Sequence, residues 1–211
     1  MLRFALPVTF LLASCSSAYY AMWEKFGYEK RDILVERVQD GRKDQAAAQK
    51  QFQTAFEAFK SLTAFEGGNL EATHKKLSGE LERCKSAASA VTERIASIDK
   101  VAKDLFSEWK KENATYTSED LRANSEKMLG DTQRSYEKLI ASMRTAEGKM
   151  QPVLAKFGDQ VLFLKHNLNA QAISSLQKEV VKIESDVGAL IADMKKSIEE
   201  ADAFIASMKK S

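Results

Sequence analysis

Apolar residues recur along most of this chain in alternating steps of four and three. Between residues 70 and 109 the row runs Leu70, His74, Leu77, Leu81, Cys84, Ala88, Val91, Ile95, Ile98, Ala102, Leu105 and Trp109 without a slip. A mean step of 3.5 keeps one face of a helix turned toward a partner, so the spacing predicts a coiled-coil helix of more than five heptads. A second row near the C-terminus runs Ile173, Leu176, Val180, Ile183, Val187, Leu190, Met194, Ile198, Ala201, Ile205 and Met208. Its steps 190–194–198 are both four, a stutter that relaxes the supercoil locally. A weaker row leads from Leu34 through Val38, Gly41, Gln45, Phe52 and Phe59 to Leu62, and another leads from Leu121 to Leu164.

The interruptions fall at even intervals. Gly67-Gly68-Asn69 supplies residues that tolerate the left-handed conformation where a first helix would end. Asn113 to Ser118 ends the second, with Ser118 as N-cap and Glu119 and Asp120 in the next first turn. Lys165-His166-Asn167-Leu168-Asn169 ends the third, and Asn169 is placed to cap the fourth. Short connections between helices of about 40–48 residues each predict an all-α, elongated, antiparallel bundle of four. Pro152 lies inside the third helix and removes a backbone donor there. A kink is the favoured outcome; a break would leave Val153 to Leu164 as a separate short helix.

The first residues follow a different rule. Behind Arg3, the apolar run from Phe4 to Leu12 is far shorter than the about 20 residues that span a bilayer. It has the length of a secretory signal core and leads into Leu12-Ala13-Ser14-Cys15, the small-residue box of a bacterial lipoprotein signal. Residues 1–14 are then expected to be removed and Cys15 lipidated. Residues 15–31 would form a juxtamembrane segment, and 32–211 the helical bundle. Ser16, in place of an Asp that would retain the chain in the inner membrane, points to the periplasmic face of the outer membrane. In the juxtamembrane segment Tyr19, Tyr20, Trp23 and Lys25 suit a headgroup layer, which favours amphipathic rings. Packing of Trp23, Phe26 and Tyr28 on the bundle end is the equal alternative.

Two blocks carry a family resemblance. The box ending in Cys15 followed by Tyr19-Tyr20-Ala21-Met22-Trp23-Glu24-Lys25-Phe26-Gly27 and Lys30-Arg31-Asp32-Ile33-Leu34-Val35 is one. Phe163-Leu164-Lys165-His166-Asn167-Leu168-Asn169-Ala170 is the other. Both resemble a family of predicted bacterial coiled-coil lipoproteins that is catalogued only as a domain of unknown function. The resemblance implies a lipoprotein with a coiled coil and brings no activity.

Charge is nearly balanced, with 32 basic against 30 acidic side chains. No basic stripe is present to track a phosphate backbone, so nucleic acid is not an expected partner. With Cys15 acylated, Cys84 is the remaining thiol, and no intrachain disulfide can form. Glu71-Ala72-Thr73-His74 matches the Glu-x-x-His of a di-iron bundle, but such sites need the motif on two helices, and Phe163 stands where His166 would need its Glu. Cys84 falls on an apolar seam, where a thiol serves as a small hydrophobe. Gly67-Gly68 is a turn and not a phosphate loop. No catalytic set, metal site or cofactor motif emerges.

Up-down-up-down connectivity places the first and third turns together, away from the lipid. His74, His166, Asn167 and Asn169 then share a distal tip, either as a contact site or, as favoured here, as helix caps. The expected protein is a non-enzymatic, lipid-anchored scaffold or adaptor of the cell envelope. Its partners would be the membrane, through the lipid, and an envelope protein or a second copy, through the coiled coil. The alternative is a ligand-binding or sensory bundle with Phe52, Phe56 and Phe59 lining a pocket.

Overall fold

Four helices form where the four apolar rows predict them. In the computed structural model, which describes residues 30–63, 69–167 and 170–210, they are α1 (Lys30–Thr63), α2 (Leu70–Asn113), α3 (Glu119–His166) and α4 (Ala170–Lys210). The longest, α3, has 48 residues, or about 70 Å at 1.5 Å per residue. The expected positions at Cys15, Tyr19, Tyr20, Trp23, Lys25, Gly67, Gly68 and Asn169 lie outside the described residues. Lys30 and Arg31, read from sequence as the end of the juxtamembrane segment, already belong to α1.

The helices pack in the cyclic order α1–α2–α3–α4–α1. Side-chain pairs give the direction of each neighbour. Between α1 and α2, Asp44 meets Arg94 and Gln51 meets Glu80. Between α2 and α3, Trp109 meets Ser125 and Asp99 meets Tyr136. Lys149 with Asp193 and Lys156 with Asp186 join α3 to α4, and Arg42 with Asp202 and Lys60 with Glu184 join α4 to α1. In every case rising numbers on one helix face falling numbers on the next, so all neighbours are antiparallel.

The predicted rows are the core. Along α2 every seam position from Leu77 to Leu105 is buried. Along α3 the row is buried from Leu139 onward, whereas its first member, Leu121, is exposed. Aromatic rings plug the core at two levels. Phe157 of α3 reaches across to α1, stacking on Phe59 with centroids 4.8 Å apart and lying 6.5 Å from Phe52. Nearer the other end, Tyr136 meets Phe106 and Phe204 edge-on. Edge-on and offset contacts of this kind suit the ring quadrupole.

One expectation needs correction and one alternative is settled. The C-terminal stutter is absent from the buried row. After Met194 the fully buried positions are Ser197, Ala201, Phe204 and Met208, which keep the 3–4 alternation, while Ile198 and Ile205 sit beside them half-buried. A small hydroxyl at 197 hid the heptad from a reading based on apolar residues. Pro152 does not break α3, which runs through it to His166. The ring is on the solvent side, as is Gly148, so the carbonyl left without a donor can bond water. Val153, Phe157 and Val161 hold the following turns on the core.

The caps fit the local chemistry. Asn69, read from sequence as part of the first helix end, is instead the N-cap of α2, its side chain accepting from the Ala72 N–H at 3.0 Å. Ser118 caps α3 in the same way through the Leu121 N–H.

Glycines separate close approach from open surface. A Cβ on buried Gly41 would lie 2.8 Å from Ile98 Cδ1 and 3.2 Å from Met143 Cε, whereas at exposed Gly188 it would meet nothing within 4 Å. Gly188→Ala is expected to raise the unfolding free energy by about 0.5–1 kcal/mol through helix propensity. Gly41→Ala is expected to lower it by about 1 kcal/mol, because overpacking outweighs the same gain. Urea unfolding reads both, and equal signs would refute the packing assignment at Gly41.

Candidate functional site

The two poles of the rod differ in chemistry from its middle. The large exposed apolar side chains named by exposure are Tyr116 and Leu121 at one pole, and Leu162, Phe163 and Val181 toward the other. Between them the surface carries ion pairs.

At the distal pole lie the end of α1, the start of α2, the end of α3 and the start of α4. His74 is half-buried one turn into α2, with Nε2 3.4 Å from Ser78 Oγ. His166 is the exposed last residue of α3. Asn167 follows it and caps the helix: its backbone N–H donates to the Leu164 carbonyl at 3.2 Å and its side-chain amide donates to the Phe163 carbonyl at 2.9 Å. Both of these bonds satisfy carbonyls that a helix end would otherwise orphan. The antiparallel packing brings His74, His166 and Asn167 to one end. Beside them, Asp159, Gln160, Phe163, Ser175, Leu176 and Glu179 line an open groove of about 290 Å³ between α3 and α4. Sequence spacing did not single out this groove, because its walls come from two helices.

The proximal pole holds the start of α1, the α2–α3 turn and the end of α4. Lys30 pairs with Glu108 of α2, and the Arg31 guanidinium donates to the Met208 carbonyl of α4. Trp109 Nε1 donates to Ser125 Oγ at 2.8 Å, and that hydroxyl donates to Asn113 Oδ1 at 2.6 Å. This chain of bonds fixes the turn geometry, with Asn113 itself buried.

The titratable groups of the middle serve packing. Asp99 accepts from Tyr136 Oη at 2.8 Å and Lys103 Nζ at 2.7 Å, and pairs with Arg144 at 3.1 Å. Burial opposes ionisation of Asp99, but the hydrogen bonds from Lys103 and Tyr136 together with the two positive charges outweigh it and hold the carboxyl low. Burial, and the ionised Asp99 it donates to, push the Tyr136 phenol far up. Burial likewise pushes the Cys84 thiol up to about 11, and Sγ faces the Gln51 carbonyl at 3.6 Å. A thiol so placed carries almost no thiolate at neutral pH. Hydrogen bonds from Arg83 and Gln51 hold Glu80 low against its burial. Among the described residues no group of three His, Cys, Asp or Glu side chains converges as metal ligands.

The family described as protein of unknown function (DUF2959) matches residues 19–208. The chain belongs to that family. The DUF2959 match contains both resembling blocks apart from the Cys15 box, and the four helices of the bundle lie almost wholly within it. No curated protein and no solved structure matches the chain. No described helix is long and apolar enough to cross a membrane.

Proposed function

We propose that this DUF2959 protein is a lipid-anchored, non-enzymatic scaffold or adaptor of the bacterial cell envelope. It is held through Cys15 on the periplasmic face of the outer membrane and presents its distal pole to another envelope component. The observation that carries the reading is the pairing of a lipoprotein box at Leu12–Cys15 with a rod whose first helix starts at one pole. The tether and the far pole are then about 70 Å apart along the axis of an upright rod.

A passive mechanical role also accords with the interior. Phe52, Phe56 and Phe59 are buried, and two of them pack against Phe157, so their surface is used in the core. A crevice of about 520 Å³ beside these rings is open and lined by Lys50, Glu57, Lys76 and Glu80 among others, which suits solvent better than an apolar ligand. This favours the scaffold over the ligand-binding alternative.

Intact-mass analysis of the membrane-extracted protein tests the anchor. The expected product begins at Cys15 and carries acyl chains, and Cys15→Ser is expected to shift the protein out of the membrane fraction. An unprocessed, unacylated chain would overturn the reading.

A further inference from the structure

We propose that the proximal pole is itself a lipid-facing surface, with Tyr116 and Leu121 entering the headgroup layer beneath the rod. The proposal rests on the lipid-anchor reading above and adds a second, non-covalent contact to it. Tyr116 is 43 % and Leu121 57 % exposed, and they flank the N-cap Ser118 on a single turn. An exposed phenol and an exposed isobutyl group at the same rod end suit the boundary between headgroups and acyl chains, where amphipathic rings are favoured.

Connectivity selects this pole. Lys30 begins α1 here, tied to Glu108 of α2 just before the turn, and Arg31 is tied to the end of α4. Cys15 lies fifteen residues before Lys30, and such a segment spans at most about 50 Å fully extended. The tether is therefore shorter than the rod, and the near pole meets the surface first. Leu162 and Phe163, equally apolar, lie at the far end.

Charge decides the mode of contact. The exposed Lys110, Lys111 and Lys209 around the turn are balanced by exposed Glu112, Glu119 and Asp120. A pole whose charges nearly cancel gains little from anionic lipid, so the contact is mainly apolar and weakly sensitive to salt. Two side chains do not hold a protein on a membrane alone; the tether raises their local concentration enough for them to engage.

Hydrogen exchange of the acylated full-length mature protein tests this, on zwitterionic phosphatidylcholine vesicles and on phosphatidylethanolamine–phosphatidylglycerol (3:1) vesicles. Amides of residues 114–121 are expected to exchange several-fold more slowly on both vesicles than in detergent, and those of 160–167 to be unchanged. Tyr116→Ser with Leu121→Ser is expected to abolish the slowing while the protein still floats with the vesicles and keeps its helix content. Unslowed exchange at 114–121 in a protein that floats overturns the proposal and leaves the anchor intact. Slowing only on the anionic vesicles overturns its apolar form. Slowing that appears without vesicles as protein concentration rises assigns the surface to a second copy instead. If the extracted protein carries no lipid, the anchor reading fails, and the same exchange on chain coupled through Cys15 to a maleimide lipid still decides the pole.

Discussion

Phe157→Ala is expected to lower the unfolding free energy by about 3–5 kcal/mol, the range for a phenylalanine removed from a packed core. Phe157 has no exposed surface and stacks nearly parallel to Phe59, at 12° and 4.8 Å, with Phe52 as its second ring partner. Its loss removes the transfer energy of one ring and the pair terms of two contacts, about 0.5–1.5 kcal/mol each. The bundle cannot collapse into the space, because Phe157 bridges the diagonal between α1 and α3 while α2 and α4 hold those helices apart. Urea unfolding followed by circular dichroism measures the effect. Phe163→Ala, at a half-solvated ring on the same helix, is the control and is expected to cost under about 1 kcal/mol. Equal losses at the two positions would show that Phe157 is not the keystone of the distal core.

The fold was legible because its rule is local and repeated. A row such as Leu77, Leu81, Cys84, Ala88 needs no knowledge of the partner helix to declare which face is buried, and α2 follows it from Leu77 to Leu105, about eight turns, without exception. The Ser118 cap was legible for the same reason, declared by the acidic residues that follow, whereas Asn69 reads in the sequence as the end of the first helix and in fact caps the second. What escaped was whatever depended on a second helix. Ser197, not the half-buried Ile198, completes the buried row of α4, and only the packing of the neighbouring helices reveals that choice. Pro152 could be judged only once its ring was known to face water. The Asp99–Tyr136–Arg144 cluster and the groove beside Phe163 join residues tens of positions apart, and their spacing in the chain has no period. The poles were foreseen as places, since connectivity alone puts His74 with His166. Their chemistry was not, because Tyr116 and Leu121 look like ordinary members of a turn and a seam until their exposure is known.

Gln45→Leu is expected to raise the unfolding free energy by about 1–3 kcal/mol, the cost of keeping an amide dry without a partner. Gln45 is 1 % exposed on the α1 seam, and neither its side-chain carbonyl nor its amide nitrogen meets a hydrogen-bond partner among the described residues. The buried Ser197 hydroxyl is in the same condition. The register of α1 against α4 places the two at one level, since Arg42 with Asp202 and Gln49 with the Ile191 carbonyl bracket them on either side. Leucine has nearly the volume of glutamine and removes the desolvated amide without opening a cavity. Ser197→Ala alone is expected to change stability by less. The double variant tests how the layer works: if one internal water serves both side chains, the two effects depart from additivity by more than about 0.5 kcal/mol. A polar layer retained at such a cost fixes register in coiled coils, where an aliphatic seam would slide. The stabilised Gln45→Leu variant is therefore expected to lose the Arg42–Asp202 pairing in part, read as a weaker coupling in a double-mutant cycle across that pair. A destabilised Gln45→Leu, with the unfolding slope unchanged, would mean that the amide is satisfied by water and contributes to the fold as it stands.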